Sequence, residues 1–195
     1  MPLRNNLLAA SAAMILGGCT TAPPMETVDH VDLERFMGDW YVIANIPTFI
    51  EKGAHNAVES YRLDDDGTVA TTFTFRKGGF DGDEKVYRPR GFIVDEQSNA
   101  LWAMQFVWPF KGDYRIIYLD EDYATTVIGR QKRDYVWLMA RSPQPPEAVL
   151  EDLGGAGPLQ EHLGGHGGGR ILMRGPGVAG PARGVTSRGG CLAVG

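Results

Sequence analysis

Side chains able to do acid–base, nucleophilic or metal chemistry are few in this sequence and poorly spaced for it. Of the four histidines, His30 and His55 fall in loop-like stretches, and His162 and His166 lie in a Gly-rich tail. The i, i+4 spacing of the last two would suit a metal on a helix, but Gly164-Gly165 between them argues against that helix. Cys19 and Cys191 lie near opposite ends, so they neither staple a small scaffold nor sit beside a histidine as a nucleophile pair. Asp64-Asp65-Asp66-Gly67 reads as a turn, since it lacks the ligand spacing of a calcium loop. No Gly-x-Ser-x-Gly and no Gly-rich phosphate loop occurs. The sequence therefore reads as a binding protein and not an enzyme, with no catalytic residue, no cofactor and no metal.

What recurs instead is a set of aromatic and apolar residues two apart. Tyr61, Phe73, Phe75, Trp102, Met104, Phe106, Tyr114, Tyr118 and Trp137 share the parity that faces one side of a pleated strand. Any one of them would serve as core filling. As a set, mixed with Ala44, Ala57, Gly91 and Ala103, they suit a partly empty apolar cup, and they are the candidate ligand contacts. Glu59 shares parity with Tyr61. Facing inward, its carboxylate would bind a cationic headgroup or disfavour a fatty acid; facing outward, it would be an ordinary solvated residue. Arg88 and Arg90 are candidate headgroup partners near a rim, or else ordinary solvated surface residues. A one-residue bulge would turn any strand's list inside out.

These residues need strands to position them. Asp32 to Met37 reads as one helical turn stopped by Gly38. Strand-like runs then follow at roughly 39–46, 55–63, 68–77, 85–94, 100–107, 113–119, 123–131 and 134–141. Hairpin-length turns separate them, with Trp108-Pro109-Phe110-Lys111-Gly112 joining the fifth and sixth. The only long early loop is 47–54, and nothing resembles a crossover helix. Eight antiparallel strands with one apolar face form an up-and-down barrel or a two-sheet sandwich. The barrel removes exposed edges, and at eight strands it leaves room for side chains plus one small ligand.

The 195 residues suffice for one domain with a real core. With 43% hydrophobic and 22% charged residues, neither wholesale disorder nor a multispanning membrane protein fits. A net charge of −5 without a dense basic patch excludes a nucleic-acid partner. Residues 1–18 have the form of a signal peptide: Arg4, an apolar run over 7–16, then Gly17-Gly18. Leu16-Gly17-Gly18-Cys19 resembles a bacterial lipobox, which implies that Cys19 is acylated and anchors the chain to a membrane. Thr20, where retention in the inner membrane would favour Asp, implies the periplasmic face of the bacterial outer membrane. Residues 19–30 read as a tether with a reach of ~35 Å from the bilayer.

Three motifs then stand in order: Gly38-Asp39-Trp40, Asp120-Glu121-Asp122-Tyr123 and Arg141. With Ile46-Pro47 and Asp134-Tyr135-Val136-Trp137-Leu138-Met139-Ala140-Arg141-Ser142-Pro143, they resemble the lipocalin family over about residues 31–153. The similarity is to its bacterial outer-membrane lipoproteins and their apolipoprotein D-like relatives. The resemblance implies an all-β, eight-stranded barrel with Trp40 plugging the closed end. Arg141 would lie on its ring, a cation–π contact worth about 0.5–2 kcal/mol, and Asp120 would cap the turn backbone.

The resemblance also implies a fatty acid, lysophospholipid or similar lipid at the open end, stored or transported in the cell envelope. Burying about fifteen methylenes gives roughly 12 kcal/mol gross. Association and ligand-ordering costs offset much of this, and a net near 7–8 kcal/mol is a dissociation constant of about a micromolar. A lipocalin-fold enzyme acting on a lipid or isoprenoid, or a non-catalytic envelope adaptor, are the competing readings, and a homodimer stays open.

One part departs from the family. A C-terminal helix begins well at Pro145-Pro146-Glu147 and is cut by Gly154-Gly155. Residues 154–195 hold 15 of the 26 Gly and carry +3, against −8 for the rest of the chain. This tail reads as disordered, and the abrupt change in composition as a shift of reading frame after about Leu153.

Overall fold

Residues 24–146 are described by the computed structural model, together with the backbone of 171–173, 184–188 and 191–194. Asp32 opens the short helix α1 (Leu33–Phe36), its side chain accepting from Arg35 N–H at 3.2 Å. Gly38 ends that turn at φ +95°, where an L side chain is strained, and the chain enters β1 (Gly38–Ile46). Alternating apolar residues then build β2 (Ala54–Leu63), β3 (Thr68–Lys77), β4 (Glu84–Tyr87), β5 (Arg90–Ile93), β6 (Leu101–Val107), β7 (Phe110–Leu119), β8 (Thr125–Gly129) and β9 (Val136–Ala140). Segments β4 and β5 are two pieces of one ribbon, both paired with β3 and broken around Arg88-Pro89, since Pro89 has no N–H for the ladder. The barrel therefore has eight ribbons.

Each ribbon pairs antiparallel with its sequence neighbour, and β1 also pairs with β9 through Tyr41↔Ala140, Asn45↔Trp137 and Ile46↔Val136. That last ladder closes the ring. It decides for the barrel and against the sandwich. Several boundaries differ from expectation, and β8 and β9 each begin two residues late, at Thr125 and Val136. Phe110 already belongs to β7, because Val107 pairs with Phe110 across the tight Trp108-Pro109 turn instead of a five-residue loop. β8 stops at Gly129, short of residue 131.

The interior layer packs Phe36, Trp40, Tyr61, Phe73, Trp102 and Ile116. A second cluster lies on the other face, where Ile43, Ala44, Val127, Val136 and Leu138 are buried outside the ring. The helix expected from Pro145 lies outside the described residues from 147 onward.

Arg141 locks the floor. Its guanidinium lies over the Trp40 ring at 3.9 Å and donates to the carbonyls of Arg35, Phe36, Met37 and Asp39 at 2.8–3.0 Å. Trp40 Nε1–H donates to Phe36 O at 2.9 Å, and Tyr123 OH accepts from Asp32 N–H at 2.9 Å. Asp120 Oδ1 accepts from Ala124 N–H at 2.6 Å, the capping contact the motif implies. One cation thus satisfies the carbonyls at the end of α1, which a four-residue helix cannot pair internally.

Two expectations about the chain ends change. Residues 25–31 are not free tether. Val31 N–H bonds Ser98 O at 2.7 Å, Val28 N–H bonds Ile116 O at 3.0 Å, and Met25 N–H bonds Gln131 Oε1 at 2.9 Å. Apolar Met25, Val28 and Val31 gain burial against the wall, which a solvated linker would forgo. The tail expected to be disordered supplies three short strands among the described residues, β10 (Ile171–Met173), β11 (Gly184–Arg188) and β12 (Cys191–Val194). β10 pairs with Ala44 and Asn45 of β1, beyond the point where β2 leaves that edge. An unpaired stretch of edge is a template for any β-prone segment, and Ile171-Leu172-Met173 is one.

Replacing Arg141 with Met removes the cation and leaves several helix-end carbonyls without a donor. Urea unfolding should show a loss of about 2–4 kcal/mol, whereas Arg62→Met on the exposed wall should change stability by less than about 0.5 kcal/mol.

Candidate functional site

The barrel encloses a cavity of about 460 Å³ that opens at the end opposite Trp40. That size suits a small organic ligand. Phe73 of β3, Met104 and Phe106 of β6, Tyr114 of β7 and Trp137 of β9 line it, all reached by counting alternate residues. Tyr61, Phe75 and Trp102 point to the interior but lie outside the cavity wall. Tyr61 and Trp102 form the layer beneath it, edge to face at 5.8 Å, and Trp102 stacks on Tyr114 at 5.4 Å. Phe75 packs against Phe73 and Tyr87. Tyr118 is a correction. The ladder between β7 and β8 shifts register between Ile116 and Tyr118, so Ile116 stays inside while Tyr118 joins the outer cluster.

Several lining residues were not on that list. Thr48, Phe49, Ile50 and Glu51 come from the 47–53 connection, which folds over the mouth. Its length was the available signal, since a hairpin here needs only a few residues. Phe110 and Gly112 line the cavity because β7 begins earlier than its sequence suggests. Arg130 and Tyr135 come from the turn between β8 and β9.

Polar chemistry concentrates at the base. Glu59 of β2 is 6% exposed and faces inward, the less common of its two sequence readings. One carboxyl oxygen accepts from Tyr61 OH, which lies 2.6 Å from Tyr114 OH. The other receives no hydrogen bond from a described residue. When the carboxyl is ionised it can only accept, so the phenols then donate in one direction, Tyr114 to Tyr61 to Glu59.

Burial pushes the Glu59 carboxyl up to about 7, with the Tyr61 hydrogen bond opposing and the Glu51 charge adding to the rise. Burial and the Glu59 charge also drive both phenols well above the ordinary tyrosine range. Glu51 is held separately near the mouth by Trp137 Nε1–H at 2.6 Å, Thr48 N–H at 2.8 Å and Asn45 Nδ2 at 3.4 Å. The two cations of the lining are engaged elsewhere. Arg130 pairs with Asp134 at 3.5 Å, and Lys111 Nζ sits 3.3 Å above the Phe92 ring. Among the described residues neither Glu51 nor Glu59 has an ion-pair partner. The hollow is thus apolar on its walls and acidic at its base.

Comparison with known proteins agrees with this architecture. A family model described as "Lipocalin-like domain" matches residues 31–156. "Outer membrane lipoprotein Blc" of Citrobacter freundii is 28% identical over 151 residues, 74% of this chain and 83% of that protein. "Apolipoprotein D" of Bos taurus is 31% identical over 157 residues, 74% of this chain and 79% of its own. Among solved structures, insecticyanin of Manduca sexta superposes with a TM-score of 0.54 at 14% identity, over 67% of this chain and 76% of that one.

The raised Glu59 carboxyl makes stability depend on pH. Folding favours its protonated form, so this stabilisation is complete below pH ~4.5 and fades as pH rises through about 7. Glu59→Gln should therefore be more stable than the parent above pH 7, by on the order of 2–3 kcal/mol, and should flatten the stability curve between pH 4.5 and 7. Urea unfolding across that range reads both; a curve equally steep in the variant would assign the slope to other groups.

Proposed function

The chain belongs to the lipocalin family, and from its cavity we propose a binding protein that carries a long-chain hydrophobic molecule, not an enzyme that converts one. The observation that carries this reading is the 460 Å³ hollow, walled by Phe73, Met104, Phe106 and Trp137 and closed below by the Trp102–Tyr61 layer. A hydrocarbon entering from the mouth would exchange water for those side chains, at about 0.8 kcal/mol for each methylene buried. Fatty acids, lysophospholipids and related amphiphiles supply such chains. We place the protein on the periplasmic face of the outer membrane, anchored through acylated Cys19. Support comes from the lipobox-like sequence and from relatives that are themselves named outer membrane lipoproteins.

The acidic base gives this reading a preference. Glu59 would repel a carboxylate brought down to it, and would accept from a hydroxyl or an ammonium group. A fatty acid is therefore expected to bind with its carboxylate toward the mouth. A long-chain alcohol or amine of equal length is free to bind either way round.

Displacement of a fluorescent lipid probe should give a dissociation constant of about a micromolar for hexadecanol. At pH 8, Glu59→Gln should weaken hexadecylamine several-fold, about 1 kcal/mol, and leave hexadecanol within about twofold. A barrel that takes up neither ligand nor probe would remove the carrier reading and leave the adaptor.

A further inference from the structure

The open end of the barrel carries large apolar side chains that the fold leaves in solvent. Phe49 in the 47–53 connection is 83% exposed; Val107, Trp108 and Phe110 at the β6–β7 hairpin are 64%, 81% and 76% exposed. The two elements stand together because Phe49, Val107 and Phe110 all border the same cavity mouth. Trp108, at the hairpin tip, projects beyond it. Soluble monomers rarely leave so many large apolar groups on one rim unless the rim meets something.

A second observation says what it meets. From Val31, bonded to Ser98 on the floor side, the N-terminal segment climbs the outer wall past Ile116 to Met25, held by Gln131 and by Arg115 Nη1 at 3.1 Å. It therefore delivers Pro24 at the level of the β8–β9 turn, on the mouth side. Five residue steps separate Pro24 from Cys19, a reach of at most about 18 Å. Asp113 marks the same level, accepting from Gln131 N–H at 2.6 Å. Trp108 lies five residues above Asp113 along the tilted hairpin, a height of roughly 12–16 Å. The Asp120 turn lies seven residues below it on β7, roughly 18–23 Å in the opposite direction. An anchor at Cys19 can thus share a plane with Trp108 with slack to spare, while a plane under the floor demands the full extension of the segment or more.

We propose that the rim formed by Phe49, Trp108 and Phe110 docks on the phospholipid surface that holds Cys19, so that the cavity opens against the bilayer. This rests on reading Cys19 as an acyl anchor, although the rim itself can be tested without it. An indole at the tip suits the interface, with an apolar ring and one polar N–H. A hydrocarbon chain would then pass between membrane and cavity without crossing open water.

The test uses the full acylated chain in phosphatidylethanolamine–phosphatidylglycerol vesicles, with lipids brominated on the acyl chain as quenchers. The Trp108 signal is taken as the difference between the parent and Trp108→Phe. More than about half of that difference should be quenched. In parallel, unacylated Cys19→Ser protein should bind the same vesicles; adding Trp108→Glu should weaken that binding about tenfold or more, and adding Trp108→Phe by less than about threefold. An unquenched Trp108 on vesicle-bound protein overturns the proposal. So does vesicle binding of the Cys19→Ser protein that is indifferent to Trp108→Glu, or a dimer that Trp108→Glu splits into monomers. Failure of the anchor reading looks different: the intact mass shows no acyl groups, and the parent binds no better than Cys19→Ser while the loss on Trp108→Glu persists.

Discussion

Everything in this molecule depends on the closing of one ladder, β1 against β9. An open sheet of these strands would bury one face and leave two edges; closed, the same strands have an inside. Inside an eight-ribbon ring the side chains converge, and whether they fill it depends on what each strand points inward. Here the lower half is filled by aromatic layers, Trp40 on Phe36 and then Tyr61 with Trp102. The upper half is not, because Thr71, Gly112 and Met104 take positions that larger rings could have occupied. The hollow follows from ring closure combined with small or flexible side chains above a solid floor.

That floor explains why the family motifs lie far from any ligand. Arg141 satisfies four carbonyls around α1 and covers the Trp40 ring, so a charge, a helix end and a large aromatic group are settled by one side chain. Above it, Glu59 is the costly group. Its burial is opposed, among the described residues, by one hydrogen bond from Tyr61 and made worse by Glu51, which is why its carboxyl stands near neutrality. Buried carboxyls of this kind lower stability at neutral pH, and functional sites are where such costs concentrate. The acidic base and the apolar rim are separate features: one bears on what the cavity holds, the other on where its mouth faces.

Much of this was legible from residue order. Period-two alternation gave the strands to within a few residues, and the three spaced motifs gave the family. Phe73, Met104, Phe106, Tyr114 and Trp137 were found by parity alone. Parity failed at Tyr118, because a bulge is a backbone event with no strong residue signature. It was silent on Phe49 and Glu51, since a loop has no period to count. Glu59 was ambiguous because charge argues outward while alternation argues inward, and the inward position is made tolerable by the Tyr61–Tyr114 relay together with the raised carboxyl, which sequence order does not show. The course of residues 25–31 along the wall was hidden as well: the segment reads as a linker, and its three apolar contacts, Met25, Val28 and Val31, stand three apart instead of at the period of two that announces a strand.

The most direct test of the carrier reading is a crystal structure of the barrel grown with a long-chain alcohol brominated at one methylene. The account predicts an anomalous bromine peak inside the ring, between Phe73 and Met104 and above Glu59. A peak confined to the outer surface, or none in protein crystals saturated with the alcohol, would contradict it.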